Sequence, residues 1–163
     1  MQSGQGAPPR WPRMASFPRA PLAACIAVGA GLGATLDIAV FHMVLQWHHL
    51  ASERPGLAAD LPANLRLDGL TLAAAWAVTV LGLAALLRHA ARHPVAPSRV
   101  AGGALLGWAL FNIADQLVNH LLLGLHHVHP SKGLGHELAT AAWSLGMLVL
   151  GLQLVRRRSP RTD

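Results

Sequence analysis

Two stretches, DIAVFHMVLQWHH (Asp37–His49) and DQLVNHLLLGLHH (Asp115–His127), place one acid and three histidines at identical spacings inside apolar sequence. The two copies lie 78 positions apart. Carboxylates and imidazoles are costly in a hydrocarbon environment, so they usually serve a function there. The repeat therefore predicts two copies of a helical hairpin that together build one polar centre.

The composition favours a bilayer over water. Of the 163 residues, 53% are hydrophobic and 12% are charged, whereas a soluble domain carries about 25% charged residues. Backbone polar groups find no water in lipid, so apolar stretches of roughly 20 residues are expected to cross it as helices. Four such stretches occur, at about Pro21–Trp47, Leu67–Arg88, Ser98–Leu123 and His136–Val155. The sequence thus predicts an all-α bundle of four transmembrane helices, arranged as two repeated helical hairpins.

The basic residues predict the direction of these helices. Cytoplasmic segments of membrane proteins carry an excess of lysine and arginine. Ten arginines flank one set of helix ends, namely Arg10, Arg13, Arg19, Arg88, Arg92, Arg99, Arg156, Arg157, Arg158 and Arg161. The other set has only Arg54, Arg66 and Lys132. We therefore predict a multi-pass protein whose domain, residues 21–155, lies between a disordered cytoplasmic tail at 1–20 and a basic cytoplasmic tail at 156–163. Arginines confined to short clusters between spans also argue against nucleic-acid binding.

The histidines of both copies fall at the predicted outer ends of their helices. At about 100° per residue, His42, Gln46 and His49 share one helix face. A stripe of amides, an acid and an imidazole follows the third helix, at Asn112, Asp115, Gln116, Asn119 and His120. Such a stripe must turn toward partner helices or a wet cavity. We predict that His42 faces His120 and that His49 faces His127, one layer further out.

Imidazoles in a helical bundle suit copper, zinc or iron, and paired histidines on different helices can also hold haem iron. The predicted metal ligands are His42, His49, His120, His127, His48, His126 and His136. The predicted supporting residues are Asp37, Asp115, Gln46, Asp68, Asn112 and Asn119. A spacing of five residues on one α-helix makes contact between Asp37 and His42 poor, so the acids are expected to reach imidazoles on other helices. With one cysteine and neither HExxH nor CxxC, no standard catalytic or thiol signature is present, and no enzymatic activity is predicted.

Two other functions fit the same pattern. Polar groups inside a membrane can serve only as hydrogen-bonding contacts between helices, in which case the chain is a non-catalytic scaffold or interaction subunit. They can also relay protons or cations, with Asp37 and Asp115 in the path of a transporter. Binding of a metal ion or haem is the function that a cluster of outward histidines favours most.

The segments QWHHL (Gln46–Leu50), GW-x2-FN (Gly107–Asn112) and LLGLHHV (Leu122–Val128) resemble a bacterial family of small four-helix membrane proteins of unknown function. The resemblance covers about Pro21 to Val155. The matching positions are Asp37, His42, Gln46, Trp47, His48, His49, Asp68, Gly69, Phe111, Asn112, Asp115, His120, His126 and His127. The resemblance implies a bacterial plasma (inner) membrane location and a link to other membrane proteins, those of respiratory oxidase assembly and copper handling.

The chain departs from the family pattern at several polar positions. Leu72 stands where a histidine is common, Leu121 where a second histidine follows His120, and Ser144 where an acid is frequent. Ile38 and Met43 replace a glycine and a glutamine, and Asn119 an aspartate. If the replaced groups complete a metal site, these departures imply weaker metal binding in this member.

Overall fold

The structure is a computed structural model that describes residues 21–157, and every regular element in that range is helical. The all-α class is therefore confirmed. The chain forms α1 (Leu22–Asp37), which continues as a π-helix at Ile38–Val44; α2 (Leu61–Ala90); α3 (Pro97–Asp115), which continues as a π-helix at Gln116–Leu122; and α4 (Leu134–Arg156). The predicted tail at 1–20 and residues 158–163 of the other predicted tail lie outside the described residues.

Helices α1 and α3 pack against each other at the centre, with α2 against α1 and α4 against α3. Glycines set the approach of the central pair. A Cβ added to Gly29 would overlap the carbonyl oxygen of Ala104, and one added to Gly107 would overlap that of Ile26. Small residues of this kind let membrane helices approach backbone to backbone. The two contacts are equivalent in the repeat, because Gly107 lies 78 positions after Gly29 and Ala104 lies 78 positions after Ile26.

Within residues 21–157, three helical segments are long and apolar enough to cross a membrane, namely Leu22–Val44, Leu61–Ala90 and Leu134–Arg156. The third helix of the bundle, Pro97–Leu122, has similar length but is not among them. Its polar stripe, which includes Asn112 and Asp115, lowers its hydropathy. This central helix packs against both α1 and α4, and its side chains Asn112, Asp115, Gln116 and Asn119 are half-buried.

Helix α2 begins six residues earlier than the apolar stretch predicts. Pro62, expected to break the helix, lies within its first turn, where a proline is tolerated because the missing N–H has no helical partner. The Asp60 side chain caps this turn by accepting a hydrogen bond of 2.9 Å from the backbone N–H of Ala63. The earlier start places Asp68 two turns inside the helix.

The loops that follow the two π-helices meet at one end of the bundle, called here the histidine end. The backbone N–H of Glu53 donates to the carbonyl oxygen of Leu125 at 2.8 Å, and Lys132 pairs with the Glu53 carboxylate at 2.6 Å. Buried Asn64 fixes the first loop, since its Oδ1 accepts from Ala51 N–H at 3.0 Å. The two loops are thereby held against each other over the ends of α1 and α3.

Candidate functional site

Four imidazoles form a continuous row at the histidine end. Successive ring centroids are 4.5 Å apart along the order His42, His48, His126, His120. None of the four residues is more than 9% exposed. The two central rings, from His48 and His126, are parallel within 6°. The first two rings of the row come from the first copy of the sequence pattern and the last two from the second, so the row joins both copies in one buried cluster.

The two central imidazoles are held by backbone carbonyls of the opposite loop. His48 Nδ1 lies 3.1 Å from the carbonyl oxygen of Val128, and His126 Nδ1 lies 3.1 Å from that of Leu50. A carbonyl only accepts, so each Nδ1 carries the proton and donates it. Each Nε2 is therefore left with its lone pair, which is the form that binds a metal ion.

The two outer imidazoles are held by carboxylates in the same way. His42 Nδ1 donates to Asp68 Oδ1 at 2.8 Å, and His120 Nδ1 donates to Glu137 Oε2 at 3.0 Å. Carboxylate partners on the far nitrogen fix the orientation of an imidazole and raise its basicity as a ligand. All four rings thus use Nδ1 for anchoring and leave Nε2 for another partner.

Three of these Nε2 atoms, in His42, His120 and His126, are buried and have no hydrogen-bond partner. Carboxylates lie beside them nevertheless. Asp37 Oδ2 is 3.6 Å from His42 Nε2, and Asp115 Oδ2 is 3.1 Å from His120 Nε2. The Asp115 oxygen is also 3.9 Å from His126 Nε2. Buried polar atoms without protein partners are rare, and these atoms are therefore candidates to bind an ion or a water.

The contacts between each acid and the imidazole five residues later correct the sequence-based expectation. We expected these acids to reach imidazoles on other helices, because five residues do not complete turns of an α-helix. The chain is instead π-helical from Ile38 and from Gln116. In a π-helix the turn closes on the fifth residue, so Asp37 and His42 lie on one side. Short π-helical segments are frequently found at functional sites.

The carboxylate of Asp68, on α2, accepts hydrogen bonds from three donors of the first copy. Besides His42, its carboxylate accepts from His49 Nδ1 at 2.7 Å and from the backbone N–H of Leu50 at 3.0 Å. The Asp68 side chain is fully buried. With three donors it is a satisfied acceptor, and its hydrogen bond to Nδ1 fixes the orientation of the His42 ring.

The carboxylate of Glu137, on α4, contacts the corresponding donors of the second copy. It accepts from the backbone N–H of Val128 at 3.0 Å, and its Oε1 lies 3.5 Å from His127 Nδ1. Val128 and His127 are the counterparts of Leu50 and His49 at the 78-residue shift. Sequence reasoning missed Glu137 altogether, and the acidic residue in the first turn of α4 was the available signal.

The two pairs of histidines that we predicted to face each other, His42 with His120 and His49 with His127, are not in contact. His49 and His127 contact the two carboxylates through Nδ1 rather than each other. His42 has ring contacts with His48, His49 and His126 but none with His120 in the described part of the chain.

The other predicted residues lie outside the row. His136 stacks on His129 at 4.2 Å, with Trp47 edge-on at 4.8 Å from His129. Gln46 is exposed in a left-handed turn with φ of 50°. Asn119 donates to Asp115 Oδ1 at 2.6 Å, and Asn112 lines a cavity beside the row.

Burial, together with repulsion from His126 and His42, lowers the pKa of His48 from 6.5 to about 3. His48 lies in the loop beyond the first span and is neutral at physiological pH. Between pH 3 and 6.5 the unfolded chain binds a proton here that the folded chain does not. Stability should therefore rise with pH across this window and level off above it.

We expect the melting temperature of metal-free protein in detergent to fall on acidification from pH 7 to pH 4. The His48 contribution to the unfolding free energy changes by up to about 1.4 kcal/mol per pH unit. His48→Gln should flatten the pH dependence, whereas His93→Gln, at the other end of the bundle, should leave the wild-type slope. Equal slopes for wild type and His48→Gln would show that His48 does not stay neutral in the fold.

These features define a helical membrane protein with a buried imidazole and carboxylate cluster at one end. Residues 24–158 match the model of a family described as "Predicted membrane protein (DUF2243)". This match covers most of the chain, which therefore belongs to that family. No curated protein and no solved structure shows a match to the chain.

Proposed function

We propose that this protein binds a transition-metal ion in the imidazole row. The proposed ligands form two sets that share His126, namely the imidazoles of His42, His48 and His126, and the imidazoles of His120 and His126 with a carboxylate oxygen of Asp115. The observation that supports the proposal most is the set of buried Nε2 atoms without hydrogen-bond partners beside carboxylate oxygens. A cation satisfies both kinds of atom at once.

One of the measured separations fits two ligands of a single ion. Metal–nitrogen and metal–oxygen bonds of about 2.0–2.2 Å place two ligands of a zinc-like ion roughly 3.0–3.5 Å apart. His120 Nε2 and Asp115 Oδ2 are 3.1 Å apart without being aligned for a hydrogen bond. Three groups of ligand atoms converge within 4.8 Å, and two of them, His42–His48–His126 and Asp115–His120–His126, belong to the row. The third, His42–His49–Asp68, is explained by hydrogen bonds to Asp68.

The donor set favours zinc, copper or iron as a bare ion over haem. It consists of imidazole nitrogens and carboxylate oxygens, which suit these metals. Cys25 packs near Gly103 in the first turn of α1 and is not in the row. Successive rings only 4.5 Å apart leave no room for a macrocycle between them.

We also propose that the chain is built from two repeated hairpins, α1–α2 and α3–α4, with the histidine end at the outer face of a bacterial inner membrane. The paired contacts at a 78-residue shift support the repeat. The positions of Arg88, Arg92, Arg99 and Arg156 at the opposite end support cytoplasmic termini. Such a protein handles metal at the outer face without catalysing a reaction, and the implied link to respiratory oxidase assembly stays a prediction.

Calorimetric titration of detergent-purified protein with Zn²⁺ and with Cu²⁺ tests the metal site. The double variant His48→Gln/His126→Gln should lose at least about 100-fold in affinity, since removing even an outer-shell partner costs 10–100-fold. The matched control, His129→Gln/His136→Gln, removes two stacked histidines from the same end of the bundle but outside the row. It should bind within about threefold of wild type.

Equal affinities for the two double variants would overturn the assignment of the ligands. Absence of saturable binding in the wild-type protein would overturn the metal site itself. A scaffold subunit would then be the better account, with the row variants losing only stability.

A further inference from the structure

A cavity of about 490 Å³ lies between α1, α3 and α4, next to the imidazole row. Its rim includes Leu36, Val40 and Trp143, which are 43%, 38% and 61% exposed. These residues lie within the segments Leu22–Val44 and Leu134–Arg156, both apolar enough to cross a membrane. The mouth of the cavity therefore faces the hydrocarbon of the bilayer, and a ligand would enter from the membrane.

The walls of this cavity are mostly aromatic and apolar. Phe41, Trp108 and Trp143 line it, and Gly33 makes room beside Trp108. A Cβ on Gly33 would lie 2.8 Å from Trp108 Cδ1, so a larger residue there would push the indole ring into the cavity. Flat aromatic walls around a space of this volume are typical of sites for small ring-containing molecules.

The polar lining residues Asp37, Asn112 and Thr140 lie on the side of the cavity toward the imidazole row, and the Asp37 carboxylate has an oxygen without a donor. Asp115 Oδ1 accepts the side-chain amide of Asn119 at 2.6 Å. At the position equivalent to Asn119 in the first copy stands Phe41, which cannot donate. Within the described residues, the polar contact of Asp37 is the 3.6 Å approach of its Oδ2 to His42 Nε2. Asp37 Oδ1 is thus free to accept a hydrogen bond from a ligand.

This polar side of the cavity adjoins the proposed metal ligands. A small cavity of about 20 Å³ is lined by His48, Asp115 and His120 and shares Asp37, Phe41, Asn112 and Thr140 with the larger one. A ligand whose polar group reaches Asp37 therefore lies beside the imidazole row.

We propose that this cavity binds a membrane-soluble hydroquinone. One ring hydroxyl donates a hydrogen bond to Asp37 Oδ1, and the side-chain amide of Asn112 forms hydrogen bonds with the other polar substituents of the ring. The ring itself packs among Phe41, Trp108 and Trp143. An acyl chain of a lipid fits the apolar walls but offers no donor to the carboxylate, which is costly to leave unpaired in this environment. Binding of the ring needs the cavity and Asp37 and does not need the metal.

Calorimetric titration of the full chain in nanodiscs with duroquinol (tetramethylhydroquinone) tests this site. The dimethyl ether of duroquinol has the same ring without a hydroxyl donor and should bind at least about tenfold more weakly, since a hydrogen bond to a charged group contributes about 1.5–3 kcal/mol. Asp37→Asn should lower duroquinol affinity by a similar factor. Equal binding of duroquinol and its ether would overturn the proposal and show that the cavity takes any apolar filler.

A variant that fills the cavity separates this site from the metal site. Ala139 lines the cavity and is exposed, so Ala139→Phe should block duroquinol binding by at least about tenfold without disturbing the fold. Ala142→Phe, on the same helix and also exposed but outside the cavity, should bind like wild type. Metal content should be unchanged in both. Unaltered duroquinol binding by Ala139→Phe would overturn the hydroquinone site and leave the metal site unaffected. Failure of the wild-type protein to take up metal while it still binds duroquinol would overturn the metal site and leave the hydroquinone site unaffected.

Discussion

Gly107→Leu is expected to prevent α1 and α3 from meeting and to leave no well-folded protein. A Cβ at Gly107 would overlap the backbone carbonyl of Ile26, and a backbone carbonyl cannot move aside as the end of a flexible side chain can. Overpacking typically costs 1–3 kcal/mol and more where the obstacle is rigid. We expect a fall in melting temperature of about 10 °C or more in detergent, or loss of the monodisperse species.

Gly146→Leu is the matched control for that change. Gly146 lies in the middle of α4, and nothing stands within 4 Å of the position that its Cβ would take. The variant should melt within about 2 °C of wild type, as expected for a surface substitution away from special features. Similar melting of the two glycine variants would contradict the close packing of α1 on α3.

Asp68→Ala is expected to weaken both the fold and the metal site. The substitution leaves three N–H donors without their acceptor, those of His42, His49 and Leu50. Each unpaired buried donor costs about 1–3 kcal/mol, so the free energy of unfolding should fall by roughly 3 kcal/mol or more. Loss of the anchor on His42 Nδ1 should also lower zinc affinity by about 10–100-fold.

Two comparisons make the Asp68 result specific. Asp68→Asn keeps one acceptor oxygen of nearly the same shape, so its losses should be intermediate. Glu53→Gln removes the carboxylate of an exposed ion pair with Lys132 and should change stability by less than about 1 kcal/mol. Unchanged zinc affinity in Asp68→Ala, measured on the fraction that remains folded, would contradict its role in orienting His42.

The apolar stretches predicted the helices well because hydropathy and length are properties of the sequence alone. The start of α2 was misplaced because Arg66 and Pro62 interrupt the apolar pattern, although Asp60 followed by Pro62 is a regular helix start. The repeat at 78 positions was visible directly, and it brought the four imidazoles of the row into the set of candidates. It could not rank His48 above His49, since both face the same end and only the path of the loop turns His48 inward.

The π-helices and the carboxylates from neighbouring helices could not be predicted from periodicity. A π-helix differs from an α-helix by one residue per turn, and the Asp37–His42 spacing was judged against α-helical geometry alone. Glu137 does not lie 78 positions after Asp68, where Gly146 stands instead. The repeat therefore gave no reason to expect that these two carboxylates occupy equivalent places beside the histidines. The pairing depends on how α2 and α4 dock on the central helices, which is a property of the packed bundle.

X-ray absorption spectroscopy of zinc-loaded protein reports the atoms bound to the metal. We predict a shell of nitrogen and oxygen ligands at about 2.0–2.1 Å, with the outer-shell scattering of at least three imidazoles and no sulfur. The imidazole scattering should fall in His48→Gln/His126→Gln and persist in His129→Gln/His136→Gln. A shell of water and carboxylate oxygens without imidazole scattering would contradict a metal site in the histidine row.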